Sequence, residues 1–241
     1  QGRTLLGGDI SFALIQREAT RDERAFLDAH GKVSIAAMMR SMARSQSGEF
    51  ALVDLKAVDG NYPMLGSVKL TPQIPMNELL AHRDGLFGAG ADAVLLARLG
   101  LKIGDRLPVG SATFDIRSVV DSEPDKLAGG VGLGPRFLVS EEALRATGLL
   151  QPGTLVRWVY RLQLPNASVD DSATRAVIEQ AEKALPEAGW EVRTRGNASP
   201  QLERSITRFT QFLTLVGLAA LLVGGVGVAN AIKSHLDERR D

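Results

Sequence analysis

The sequence predicts an α+β domain of about 200 residues followed by one long helix, and two observations carry that expectation. Helix and strand signals at both ends of the first 199 residues flank a stretch that is mostly β, and Phe209 to Ile232 is an unbroken run of 24 residues without an ionisable side chain. The bulk composition agrees. With 241 residues, 44% of them hydrophobic and 23% charged, the chain can bury a real core. Lys plus Arg and Asp plus Glu both number 28, so no basic field exists to attract nucleic acid. The absence of cysteine removes disulfides, thiol nucleophiles and thiolate metal sites.

Thr20 with Glu23 reads as a capping box for a helix through about His30, and Gly31 is a natural left-handed stop. Val33 to Met42 and Phe50 to Val58 have strand length and are separated by Ser45, Gln46, Ser47 and Gly48, as in a hairpin. In the second run Ala51, Val53, Leu55 and Ala57 alternate with Leu52, Asp54 and Lys56. The cluster Gly60-Asn61-Tyr62-Pro63 breaks the pattern and marks a boundary near residue 65.

The texture then changes. Ala91 to Leu99 reads as a short helix closed by Gly100, and Gly104-Asp105 as a turn. Gly110-Ser111 is a two-residue loop of type II′ between strands Arg106 to Val109 and Ala112 to Val120. In the latter, Ala112, Phe114 and Ile116 face one way, and Thr113, Asp115 and Arg117 face solvent. Ser140 with Glu141 and Glu142 starts another short helix, closed by Gly148. Beyond it come a strand from Thr154 to Leu164, a helix from about Asp170 to Ala188 ended by Gly189, and a strand from Trp190 to Thr194. The expected division is an α/β subdomain made of residues 1–65 and 151–199, with a β-rich subdomain of residues 66–150 inserted between its halves.

Residues 200–241 form the last unit. Ser199-Pro200 supplies an N-cap and a first-turn proline, and no later proline interrupts a helix to about Leu236. Such a helix is on the order of 55 Å long, roughly 20 Å more than a bilayer core requires. The excess predicts a stalk whose apolar face is Leu202, Ile206, Phe209 and Leu213, with Glu203, Arg204 and Arg208 on other faces. Within the span, Gly217, Gly224, Gly225, Gly227 and Ala229 offer a small-residue surface for close packing against other membrane helices. The ordinary glycine content of membrane helices accounts for the same pattern. Basic residues lie on both sides, Arg204 and Arg208 against Lys233, Arg239 and Arg240, and leave the orientation open with a slight bias to a cytoplasmic C-terminal end. Gln1 in place of Met, and a charged end at Asp241 with no helix stop, lead us to expect a piece of a longer protein.

The chemical motifs are weak. Gly129-Gly130-Val131-Gly132-Leu133-Gly134-Pro135 lacks the Lys-Ser/Thr of a phosphate loop and runs into a proline, so a loop or a close packing point is the better reading. His30, His82 and His235 are far apart and in no metal-ligand spacing. No Gly-x-Ser-x-Gly elbow occurs. Glu123-Pro124-Asp125 offers paired carboxylates, but the proline favours a solvated turn over an acid/base pair. No catalytic, cofactor or metal residues are therefore assigned, and an enzyme is not expected.

Two stretches of the last helix, Phe212-Leu213-Thr214-Leu215-Val216-Gly217 and Val223-Gly224-Gly225-Val226-Gly227-Val228-Ala229-Asn230, resemble the second transmembrane helix of FtsX-like, MacB-type ABC transporter permeases. The basic exit Arg239-Arg240 fits the same helix. Gly2 to Ile10 is similar to the stretch these permeases carry after their first membrane helix, and Leu99 to Asp105 to their inserted β module. The likeness is strongest to the YbbP-like branch. It implies a MacB-type periplasmic core domain, a porter-like α/β subdomain with its small insertion, followed by the stalk and membrane helix. It further implies a bacterial inner-membrane protein with residues 1 to about 208 in the periplasm and a cytoplasmic segment after Arg240. The partner would be a separate ATPase subunit that binds the ATP, and lipid or lipoprotein-related export is the expected role. The alternative is a regulator of the same architecture that activates a periplasmic enzyme, meeting a periplasmic protein and transporting nothing.

If Gly224, Gly225 and Gly227 seat a neighbouring helix, Gly225→Leu uncouples ATP hydrolysis from movement of the domain, while membrane insertion survives because Leu is more apolar. Gly225→Ala stiffens the helix by about 1 kcal/mol but adds little volume, so near-normal ATPase coupling is expected for it. Equal coupling in parent, Ala and Leu variants, with Arg117→Ala as a solvent-facing control, would show that this face meets only lipid.

Overall fold

The computed structural model describes residues 4, 6–45, 47–126, 134–165 and 171–194. The chain divides into two compact units, residues 1–198 and 199–241. The second unit, with the expected stalk face and the packing glycines, lies outside the described residues, as does the Gly129 to Leu133 stretch. Among the described residues no helix is long and apolar enough to cross a membrane.

Within the first unit, eleven strands of the described residues share one sheet. They are β1 (Ile10–Ile15), β2 (Lys32–Arg44), β3 (Phe50–Val58), β4 (Lys69–Thr71), β5 (His82–Arg83), β6 (Leu86–Ala91), β7 (Arg106–Val109), β8 (Ala112–Ser122), β9 (Arg136–Ser140), β10 (Arg157–Gln163) and β11 (Glu191–Thr194). The order across the sheet is β11-β1-β10-β2-β3-β9-β6-β8-β4, with β5 beside β6 and β7 beside β8. Most neighbours are antiparallel. The exceptions are β3 with β9, in register from Asp54↔Arg136 to Val58↔Ser140, and β6 with β8. The strands from residues 10–58 and 157–194 make one end of the sheet, those from residues 69–140 the other, and the β3–β9 ladder joins them. Helices α1 (Arg21–His30), α2 (Met76–Leu79), α3 (Ala93–Leu99), α4 (Glu141–Ala146) and α5 (Asp171–Ala184) complete the α+β fold.

The two faces of the sheet differ in chemistry. One buries Phe12, Leu55, Phe137, Trp158 and Leu162 beneath Leu27 of α1, Leu95 of α3, Leu144 of α4 and Val177 of α5, in a single apolar core. Each such side chain contributes roughly 1.5–3 kcal/mol of transfer free energy. The other face holds a smaller cluster that includes Ala36, Val58, Tyr62, Val68, Leu79 and Leu138, and beside it a set of buried charges.

The local signals explain most elements. Thr20 and Glu23 form the expected capping box, and Arg17 clamps Glu23 at 2.7 Å, a hydrogen bond that holds its carboxyl below the ordinary range although burial opposes it. Asp92 and Ser140 cap α3 and α4 by accepting from Val94 N and Ala143 N. The Gly110-Ser111 loop joins β7 to β8 as expected.

Several expectations are corrected. Gly31 is extended, at φ 163°, and not left-handed; glycine is required because a Cβ there would stand 2.2 Å from the Gln163 carbonyl oxygen of β10. The strand expected from Thr154 begins only at Arg157, because Gln151 to Val156 is wound into turns in which Thr154 N donates to Gln151 O at 3.0 Å. The helix expected to reach Ala188 ends at Ala184, since Pro186 has no N–H and disfavours a helical conformation at Leu185. Strands β1, β4, β5, β6 and β9 were not expected. β1 is buried on both faces and does not alternate, while β6 carries Gly88 and Gly90, which close packing against Leu79 requires but strand propensity disfavours.

Arg117 is not a solvent-facing residue. Its guanidinium donates to Glu78 O and Ala81 O at 2.8 Å each and pairs with Asp115 at 3.1 Å, closing α2 against β8. Its replacement removes a structural clamp, and the exposed Arg98 is the sounder neutral control.

Candidate functional site: a buried ion cluster

Three cations arise from strands whose neighbouring residues are apolar: Lys56 in β3, Arg136 in β9 and Arg161 in β10. Pairing brings them to one face, since Lys56 stands beside Leu138 and Arg161 beside Ser34. Two carboxylates, Glu123 and Asp125, come from just beyond the end of β8. Tyr62 comes from the segment after β3 and is buried.

The hydrogen bonding is specific. Lys56 Nζ donates to Tyr62 Oη at 2.8 Å, to Glu123 Oε1 at 2.8 Å and to both Asp125 oxygens at 2.9 Å, which engages all three of its protons. Tyr62 Oη in turn donates to Asp125 Oδ1 at 2.8 Å. Asp125 Oδ2 also accepts from Arg161 Nη2, and Glu123 Oε2 accepts from Arg136 Nε at 2.6 Å. Arg161 Nε reaches the Leu6 carbonyl at 3.1 Å. Gly7, at φ 77°, lets the backbone pass this arginine, because a Cβ would stand 2.8 Å from Arg161 Cδ.

Side-chain exposure is 2% for Lys56, 1% for Glu123 and 2% for Asp125, so water screens these pairs little. Burial by itself would raise both carboxyls. Lys56 and Arg161 override it at Asp125, Lys56 and Arg136 override it at Glu123, and each is held below the ordinary carboxylate range. Burial, reinforced by the two carboxylates, pushes the Tyr62 phenol up, so it remains a neutral donor. Burial lowers the Lys56 ammonium, and Asp125 and Glu123 oppose that shift.

The solvated turn expected at Glu123-Pro124-Asp125 is thus overturned: both carboxylates are buried and engaged. The residues expected to carry function, Leu202, Ile206, Phe209, Leu213, Gly217, Gly224, Gly225, Gly227 and Ala229, lie outside the described residues, and none can be related to this cluster. The cluster was missed because its members are scattered from residue 56 to residue 161. A signal was present: Lys56 and Arg161 each interrupt a run of strand residues that is otherwise mostly apolar.

Chemically the arrangement is closed. Its carboxylates, ammonium and phenol are spent on one another, which leaves no exposed acid–base pair there. Gly134, at the end of the glycine-rich stretch, is a close packing point, with a Cβ placed 3.0 Å from the Leu52 carbonyl oxygen and its N–H donating to Asp54.

No family model matches the chain. It is 33% identical over 195 residues to the uncharacterized ABC transporter permease YbbP of Escherichia coli K12, over 79% of this chain and 22% of that protein. The chain therefore spans about a fifth of the length of the relative it matches. The periplasmic region of MacB from Actinobacillus actinomycetemcomitans superposes with a TM-score of 0.52 at 10% identity, covering 85% of this chain and 95% of that one. The extracellular domain of the noncanonic ABC-type transporter YknZ from Gram-positive bacteria gives 0.51 at 12% identity, covering 77% and 100%.

Fold and sequence together define the class: this is a periplasmic domain of the ABC transporter permease type, MacB-like in architecture. Within that class its sequence is similar to part of the YbbP permease.

Two measurements probe the cluster. Lys56→Met leaves two buried carboxylates without their shared cation and is expected to cost about 3–5 kcal/mol, read from the denaturant midpoint. A loss below about 1 kcal/mol would show that the cluster is solvated. The second is acid titration. Because the folded Asp125 carboxyl lies below its ordinary value of 3.8, its stabilising contribution is present above that pH and is lost as the pH falls through it toward the folded value. Denaturant midpoints between about pH 6 and pH 2 should therefore fall more steeply in the parent than in Asp125→Asn. Parallel curves would contradict the assignment.

Proposed function

We propose that this chain is the periplasmic domain and following membrane helix of an ABC transporter permease subunit, which couples ATP hydrolysis by a separate cytoplasmic subunit to movement of the domain. The observation that carries the proposal is the pairing of a MacB-like fold with 33% identity to a permease along the same chain. In this reading residues 1 to about 208 lie in the periplasm of the inner membrane. The helix from Pro200 acts as stalk and span, Leu202, Ile206, Phe209 and Leu213 form the stalk's apolar face, and Gly217, Gly224, Gly225, Gly227 and Ala229 meet other helices of the permease. ATP is bound by the partner and not by this chain. A domain with a sealed polar interior is suited to be moved as a body, which supports a mechanical role over a chemical one. Lipids or lipoproteins are the proposed cargo class.

The test is purification of the full-length protein from its native membrane. An ATPase subunit should accompany it, and that subunit's turnover should depend on the permease. A full-length protein that purifies alone, with no ATPase in pull-downs, would overturn the proposal.

A further inference from the structure

The cluster joins parts of the chain that are distant in sequence, and its charges are divided between them. Glu123 and Asp125, with Arg136 paired to Glu123, belong to the β-rich stretch of residues 66–150 and leave it one negative charge in excess, whereas Lys56 and Arg161, both positive, belong to the strands at the other end of the sheet. Asp125 is the meeting point, since Lys56, Tyr62 and Arg161 all converge on it. Arg161 also grips the Leu6 carbonyl, so a path of two hydrogen bonds runs from the segment before β1 to the end of β8.

From this division we infer that the cluster is a mechanical joint: it locks the β-rich module to the N-terminal segment and the β3–β10 face, so that they move as one rigid body. The physical reason lies in how ionic and apolar contacts respond to sliding. An apolar interface tolerates small shifts at little cost, and the β3–β9 ladder alone leaves a twist between the two ends of the sheet available. A buried cluster in which every charged group has an opposite partner has no partly made state of low energy, because displacing one member strands the other charges away from water. The Arg145–Glu18 pair also links the two ends, but its side chains are 48% and 43% exposed and it constrains little. The consequence for transport, that a pull on the N-terminal segment reaches the module undamped, rests on the permease function proposed above; the joint itself does not.

The test uses full-length protein in nanodiscs, with any cysteines outside this chain replaced, since the chain itself has none. Spin labels at Ala29→Cys on α1 and Ala97→Cys on α3, both exposed, report the distance between the two ends of the domain by double electron–electron resonance. The parent should give one narrow distribution. Asp125→Asn and Lys56→Met should broaden it about twofold or more at temperatures well below unfolding, and Tyr62→Phe, which loses only the hydroxyl, should broaden it less. If Asp125→Asn does not fold, Tyr62→Phe decides. A distribution as narrow as the parent's in a folded variant, with only the melting temperature lowered, would overturn the joint and leave a merely stabilising cluster. ATPase turnover is recorded on the same samples: broadened distances with normal coupling would uphold the joint and count against the proposed permease mechanism.

Discussion

Asp125 is a carboxylate in a place where an unpaired charge cannot persist. Its side chain is 2% exposed, and an ion taken from water to such a site loses several kcal/mol of hydration even after the protein relaxes. It is tolerated there because Lys56 and Tyr62, six residues apart at β3 and just beyond it, and Arg161 of β10 arrive together. That requirement propagates outward. Lys56 must point to the second face of β3, Arg161 must lie along β10 beneath the Leu6 carbonyl, and Gly7 must keep the backbone clear of it. The paths of the N-terminal segment and of the chain beyond β8 are thereby set by one polar contact.

The two faces of the sheet accordingly do different work. The apolar core beneath α1, α3, α4 and α5 supplies most of the transfer free energy, and it would accept many conservative exchanges of volume. The face that holds the ions adds little net stability, because the attraction among its charges largely offsets their desolvation. What it contributes is uniqueness of geometry, since each donor has few acceptable positions. A similar contrast appears in the relationship to known structures: two domains at 10% and 12% identity share the fold, as layered packing of a sheet and helices allows.

Much of the architecture was legible in the residues alone, for reasons that are local. The capping box at Thr20 and Glu23, the β2–β3 hairpin around Ser45 to Gly48, the Gly110-Ser111 turn and the cap at Ser140 each involve atoms within a few positions of one another, so chain connectivity brings them together. The long uncharged run near the end and its likeness to a permease helix are likewise properties of contiguous sequence. Where local reading erred, nearby chemistry was overlooked, as with Pro186 ending α5, or propensity was outweighed by packing, as with Gly88 and Gly90 inside β6.

The ion cluster belongs to the other category. The sequence determined which side chains were charged, that Lys56 and Arg161 lie in largely apolar strands, and that Glu123 and Asp125 flank a proline. Read locally, that proline made a solvated turn. Only the tertiary structure decided that the two carboxylates face inward, because the contacts that stabilise them span 36 residues from Asp125 to Arg161 and 69 from Lys56 to Asp125. Charge pairing over such separations depends on the sheet having already brought the strands together, and no periodicity in the chain encodes it.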